Sequence, residues 1–182
     1  MLALHTPAPE WKISKWLNTA KPISLEHLRG RVVVVYAFQM LCPGCVSHGL
    51  PQAKAIREAF SEADVTVIGL HTVFEHHDVM NEKALQTFLH EYRIRFPVGI
   101  DQADAASDIP LSMQMYRLRG TPSILIIDRE GVLRHHHFGQ LDDLRAGAMI
   151  GELLSKGVDR LEYGNNEKRN IDRQCDENTC SA

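Results

Sequence analysis

Val32-Val33-Val34-Val35-Tyr36-Ala37-Phe38-Gln39-Met40-Leu41-Cys42-Pro43-Gly44-Cys45 is the stretch from which the fold can be read. The run Val32 to Phe38 is far short of the roughly 20 residues that cross a bilayer as a helix. It carries no alternation of polar and apolar positions, so it reads as a strand buried on both faces, as in parallel sheets. After Cys45 the period changes, with Val46, Leu50, Ala53, Ile56 and Phe60 recurring close to helical spacing. Strand, sharp turn and helix therefore meet at the two cysteines. Pro43 suits the first helical position, where its missing N–H had no partner anyway. Pro51 is expected to kink the helix by removing one donor.

Working outward, Val65 to Leu70 is a second buried strand, followed by a polar loop through His77 and a helix with apolar face Leu85, Phe88, Leu89 and Tyr92. Beyond Pro97-Val98-Gly99-Ile100-Asp101 come a short helical stretch near Leu111 to Leu118, then Gly120-Thr121-Pro122 and the strand Ser123 to Ile127. The turn Asp128-Arg129-Glu130-Gly131 leads into Val132 to Phe138 and makes a hairpin. Asp142 and Asp143 suit the first turn of a last helix lined by Ala146, Ile150, Leu153 and Leu154, with Gly157 placed to end it. The expected class is α/β: a three-layer α/β/α sandwich, a mixed central sheet and a C-terminal antiparallel hairpin. Residues 1–31, with four Pro or Gly and two tryptophans, read as an irregular lead-in holding one short strand. Residues 32–157 read as the domain, and 158–182 as a polar tail too poor in apolar residues to pack a core.

A chain of 182 residues is about one domain long and buries roughly 70% of its unfolded surface on folding. Twenty Lys+Arg against 23 Asp+Glu give a net charge of -3, which offers no footprint for phosphate backbones or anionic lipid. Nucleic acid and membrane are therefore not expected as partners. Met1 to Pro7 lacks a basic patch followed by an apolar stretch, so the cytosol is the expected compartment, and the periplasm only if an upstream segment has been removed. Four cysteines are too few for a disulfide scaffold, and they fall in two close pairs, Cys42/Cys45 and Cys175/Cys180.

A Cys-x-x-Cys where a buried strand enters a helix suggests redox chemistry. Cys42 would sit at the helix N-terminus, where free N–H groups and the dipole favour a thiolate, with Cys45 one turn on and within reach to close a disulfide. Acidity alone explains little rate, because nucleophilicity falls as the thiol becomes more acidic. Exposure, leaving-group quality and a resolving thiol held beside the first carry more.

Ala8-Pro9-Glu10, Leu25, Arg29-Gly30, Cys42-Pro43-Gly44-Cys45, Gly120-Thr121-Pro122 and Ile127-Asp128-Arg129-Glu130-Gly131 together resemble the thioredoxin-like superfamily, in particular its redoxin and TlpA-like branch related to AhpC/TSA proteins. The resemblance covers most of residues 7–156. It implies a thiol–disulfide oxidoreductase in which Cys42 attacks and Cys45 resolves. Pro122 would be cis and face the dithiol, and Thr121 would pair through its backbone with substrate; Pro43 and Gly44 join them at the groove. No cofactor is implied beyond the Cys42–Cys45 disulfide itself. The partners are protein or small-molecule disulfides and dithiols and an external thiol electron donor. Two departures alter proton handling: Leu41 stands where a tryptophan usually precedes the first cysteine, and Tyr36 where thioredoxins carry a buried acid. TlpA-like relatives can carry Glu three residues after the second cysteine. That position is His48, a candidate acid/base that α-helical spacing would put on the face of Cys45.

Loops after parallel strands gather at one sheet edge, so His71 to His77 should lie near Cys42, with Glu75 or His71 as candidate polar groups. His135 and His137 share a strand face but show no third ligand, so no metal is expected. Cys175 and Cys180 could form a secondary redox pair, although Asp176 and Glu177 argue against a primary nucleophile. The enzymatic alternative is a peroxiredoxin-like peroxidase. Its Pro-x-x-x-Thr-x-x-Cys pattern meets Val35 and Gln39 here, without the orienting hydroxyl. An alternative of another class is a non-catalytic metal-delivery or interaction module.

Overall fold

The computed structural model describes residues 3–156; Gly157, Cys175 and Cys180, with the roles expected of them, lie outside those residues. In chain order the elements are β1 (Thr6–Pro7), β2 (Ile13–Leu17), β3 (Val32–Phe38), α1 (Leu50–Ala59), β4 (Val65–His71), α2 (Glu82–Glu91), β5 (Val98–Asp101), α3 (Leu111–Met115), β6 (Ser123–Ile127), β7 (Val132–Phe138) and α4 (Asp143–Ser155). One mixed sheet runs β1-β7-β6-β3-β4-β5-β2. The pairs β3/β4 and β4/β5 are parallel, and β6 and β7 form the antiparallel hairpin beside β3.

The strand β3 shows why the sheet sits in the middle. All seven of its residues are buried. Val32, Val34, Tyr36 and Phe38 join one apolar cluster with Leu50, Ile56, Leu85, Leu89 and Ile150, so α1, α2 and α4 cover that face. Val33, Val35 and Ala37 join the other, with Trp11, Leu25, Leu28, Met113 and Tyr116. Strand periodicity of two sends alternate residues to opposite layers, and both layers are buried. The second layer is thin: α3 has five residues, and the lead-in completes the cover.

The lead-in is more than one short strand. β1 pairs with β7 and β2 with β5, so residues before Val32 close both edges of the sheet. The sequence also conceals β5, whose four residues Val-Gly-Ile-Asp are too few to show a period. The Asp101 carboxylate at its end accepts N–H groups from Ser112 and Met113 (2.8 and 3.0 Å) and the Thr72 hydroxyl (2.9 Å). It thereby anchors α3 to the sheet. Asp142 caps α4 by accepting from the Arg145 N–H at 3.0 Å, as its position predicts.

Candidate dithiol site

Cys42 lies just past the end of β3, where its N–H donates to the Gln39 carbonyl (3.2 Å) and its own carbonyl accepts from Val46 N–H (3.1 Å). The second bond makes Cys42 the residue from which the helix departs. The helix widens into a π turn over Cys45–Gly49 and regains α geometry at Leu50. Pro51 accounts for this: lacking an N–H, it leaves the Ser47 carbonyl without its α-helical donor, and the turn expands around the defect. The expected kink is thus a bulge that begins at the second cysteine.

The two sulfurs have different surroundings. Both cysteines are free; Cys42 is half-buried and Cys45 fully buried. The Cys42 sulfur accepts the Cys45 N–H at 3.3 Å and its thiol reaches the Thr121 carbonyl at 3.5 Å. Burial pushes the Cys45 thiol up to about 12, with the hydrogen bond to Cys42 adding to the rise. One thiol is therefore accessible and contacted by a donor, the other neutral and sealed beneath it.

The Thr121–Pro122 bond is cis. A Cβ added at Gly44 would lie 3.3 Å from Pro122 Cδ, and one at Gly49 3.2 Å from Pro122 Cβ and 3.8 Å from Tyr36 Cδ1. The proline ring is thus seated on two bare backbone positions of the cysteine helix. We expect Gly49→Ala to destabilise the protein by about 1 kcal/mol in urea titrations. Overpacking against a rigid ring costs about 1–3 kcal/mol, which outweighs the roughly 1 kcal/mol that Ala gains over Gly in a helix.

Cys42, Pro43 and Thr121 line an open groove of about 580 Å³ together with Gln39, Leu41, Phe74, Glu75, Val79 and Phe138. Leu41, Val79 and Phe138 remain 56%, 51% and 42% exposed, an apolar concentration at the mouth of the dithiol. Gly120 makes room for it, since a Cβ there would meet the Phe138 ring at 3.0 Å. Arg119 lies over the same ring, 5.5 Å from its centre. The sequence does not single out Phe138, the exposed last residue of β7, and shows Phe74 only as part of the loop expected near Cys42. It placed Glu75 near Cys42, and the structure does so too: Glu75 accepts from Gln39 Nε2 at 3.3 Å.

Two histidines stand elsewhere than expected. His71 is buried, 1% exposed, packed on Phe38 with ring centres 5.2 Å apart, and neither ring nitrogen has a partner among the described residues. It belongs to the core, and burial lowers its pKa to about 4. His48 is exposed and lines a separate cavity of about 280 Å³ with Tyr36, Gln52, Pro122 and Asp143, which neither cysteine lines. The π turn is the reason, because a wider turn rotates the third residue away from the face that α spacing would give it. Ser47 donates its hydroxyl to the Pro43 carbonyl (2.8 Å), which leaves His48 Nδ1 to donate to Ser47 Oγ at 2.7 Å. At the thioredoxin acid's position, the Tyr36 hydroxyl donates to Gln52, whose amide donates to the Leu141 carbonyl (2.8 Å) and Asp143 (2.5 Å). Burial raises the pKa of that phenol, so it is neutral. Among the described residues no group of three or more His, Cys, Asp or Glu is gathered to hold a metal.

A mixed sheet with a Cys-x-x-Cys at a helix mouth and a cis-proline seated against that helix defines the thioredoxin-like class. The chain belongs to the AhpC/TSA family, whose model matches residues 4–136. Among solved structures, a thioredoxin-like superfamily protein is 54% identical, with TM-score 0.81, covering 82% of this chain and 96% of that one. A thiol-disulfide isomerase from Corynebacterium glutamicum is 51% identical, with TM-score 0.80, covering 82% and 97%. The thiol:disulfide interchange protein DsbE of Allochromatium vinosum is 27% identical over 136 residues, 75% of this chain and 67% of that protein. Protein DipZ of Mycobacterium tuberculosis is 30% identical over 154 residues; the chain spans only 21% of its length.

Proposed function

We propose that the protein catalyses thiol–disulfide exchange through Cys42 and Cys45. The observation that supports this most is the asymmetry of the pair: a half-buried Cys42 sulfur opening on an apolar groove, over a fully buried Cys45. The Cys42 thiolate attacks a substrate disulfide, forming a mixed disulfide and releasing one substrate thiolate. Cys45 then attacks Cys42, closing the protein disulfide and releasing the second. An external thiol donor returns the pair to its reduced form, and the same steps run backwards oxidise a dithiol. Thr121 and Pro122, with Pro43 and Gly44, shape the substrate groove. A cytosolic location goes with the reducing direction. The pair Cys175 and Cys180 fits this reading as a tethered donor to the Cys42–Cys45 disulfide, favoured by its high effective concentration.

The peroxidase reading meets Gln39 where an orienting hydroxyl would stand, a buried amide side chain already committed to Glu75. Second-order rates of the reduced protein with hydrogen peroxide and with a peptide disulfide separate the two. We expect disulfide reduction to be the faster, because the donor that would orient peroxide is missing. Fast peroxide consumption with slow disulfide reduction would overturn the proposal. Stoichiometric zinc or copper in the purified protein, with function intact in Cys42→Ser, would instead mark a metal-delivery module.

A further inference from the structure

Gln39 is 1% exposed, and its two amide atoms fare differently. Nε2 donates to Glu75 Oε1 at 3.3 Å, which fixes the orientation of the amide. Oε1 is buried and has no donor among the described residues. Buried acceptors left unpaired are few in native proteins, and this one belongs to a side chain that lines the groove, where a small shift of the amide brings it to a donor arriving with a ligand. Both residues line the groove that holds Cys42. Glu75 is itself exposed, and no Lys or Arg pairs with it among the described residues.

Resting on the exchange reading above, we propose that Gln39 and Glu75 select the substrate as a peptide disulfide. Gln39 Oε1 accepts a main-chain N–H of the bound segment, and Glu75 receives a cationic side chain beside the reacting cysteine. The apolar rim of Leu41, Val79 and Phe138 takes up neighbouring hydrophobic side chains. A small disulfide without amides or charge meets none of these groups except the sulfur.

The test is single-turnover oxidation of the reduced full chain by a decapeptide with one internal disulfide, quenched in acid and resolved by chromatography. Two electrons pass from the Cys42 and Cys45 thiols to the peptide, which leaves as a dithiol while the protein closes its disulfide. Peptides with Lys or Glu next to the first cysteine are compared at low salt. The wild type should favour Lys by about fourfold, the scale of one exposed ion pair, and Glu75→Gln should bring the ratio to about one. Backbone N-methylation is then scanned across the residues flanking both cysteines. At one position it should cost about tenfold in the wild type and under about twofold in Gln39→Leu. Each comparison is a ratio within one variant, so a general loss of activity or fold cancels. The assignment requires both responses. A wild-type Lys/Glu ratio near one, a ratio unchanged in Glu75→Gln, or a methylation profile unaltered in Gln39→Leu would overturn it. A shift in the Cys42 titration curve without change in either ratio would likewise overturn it, marking the pair as tuning the nucleophile. If the wild type reduces neither peptide, the exchange reading itself falls.

Discussion

Replacing Cys45 by serine is expected to stop turnover and to accumulate a covalent adduct between Cys42 and the substrate. The reason lies in the environments of the two sulfurs. Cys42 borders the groove and accepts the Cys45 N–H, so it can meet a substrate sulfur. Cys45 is fully buried with its thiol pushed up to about 12, so it cannot be the first to attack. Its advantage is position: an intramolecular thiol acts at effective concentrations of about 10⁵ M or more, which no free thiol at millimolar levels approaches. Without it, release of the mixed disulfide should slow by at least about a thousandfold. With Cys175 and Cys180 replaced by serine so that no other thiol competes, non-reducing gels or intact mass after mixing with a peptide disulfide should show a one-to-one adduct in Cys45→Ser and none in Cys42→Ser. An adduct trapped by Cys42→Ser instead would reverse the roles.

Stability is expected to fall as pH drops from about 6.5 to 4, and His71 is the principal cause. Its folded pKa of about 4 lies below the ordinary 6.5 because burial penalises the imidazolium. In that interval the unfolded chain binds a proton that the folded one excludes, so the contribution is complete above pH 6.5 and is lost on acidification. At about 1.4 kcal/mol per pKa unit, the loss is about 3 kcal/mol by pH 4 and levels off at about 3.4 kcal/mol roughly a pH unit below it. That is a large fraction of a typical net stability of about 5–15 kcal/mol. Half-buried His135 and His136 are shifted downward by burial as well and act in the same direction, while buried Asp101, shifted upward, opposes them. Urea midpoints of wild type and His71→Leu at pH 7.5 and 4.5 separate the His71 share. The leucine variant should retain about 2.5 kcal/mol more of its pH 7.5 stability on acidification. Equal losses in both proteins would exclude His71 as the source.

How far the site can be read from the chain depends on how local each determinant is. The dithiol and the polar loop at Glu75 are legible because spacing and strand order bring them to one sheet edge, whereas Pro122 is legible only through the family resemblance. α spacing would put His48 on the face of Cys45, but beside Pro51 a π turn of five residues intervenes. His71 reads in sequence as part of the polar loop, but it is the last residue of β4 and packs on Phe38. Phe138 and Leu41 have no pattern in sequence that separates groove residues from core. In sequence Gln39 is only the residue that departs from a peroxidase pattern, and its unpaired oxygen is a fact of packing.

By itself the sequence determined that a double-faced strand ends in a dithiol at a helix mouth, because periodicity and a proline–glycine turn are properties of adjacent residues. It likewise determined the layered class and the hairpin. Only the tertiary structure decided that the lead-in closes both sheet edges, that one sulfur is sealed and the other exposed, and which side chains surround it. Those outcomes depend on contacts between residues far apart in the chain. Burial, and with it the pKa of Cys45 and His71, follows from what packs against a side chain rather than from the residue itself.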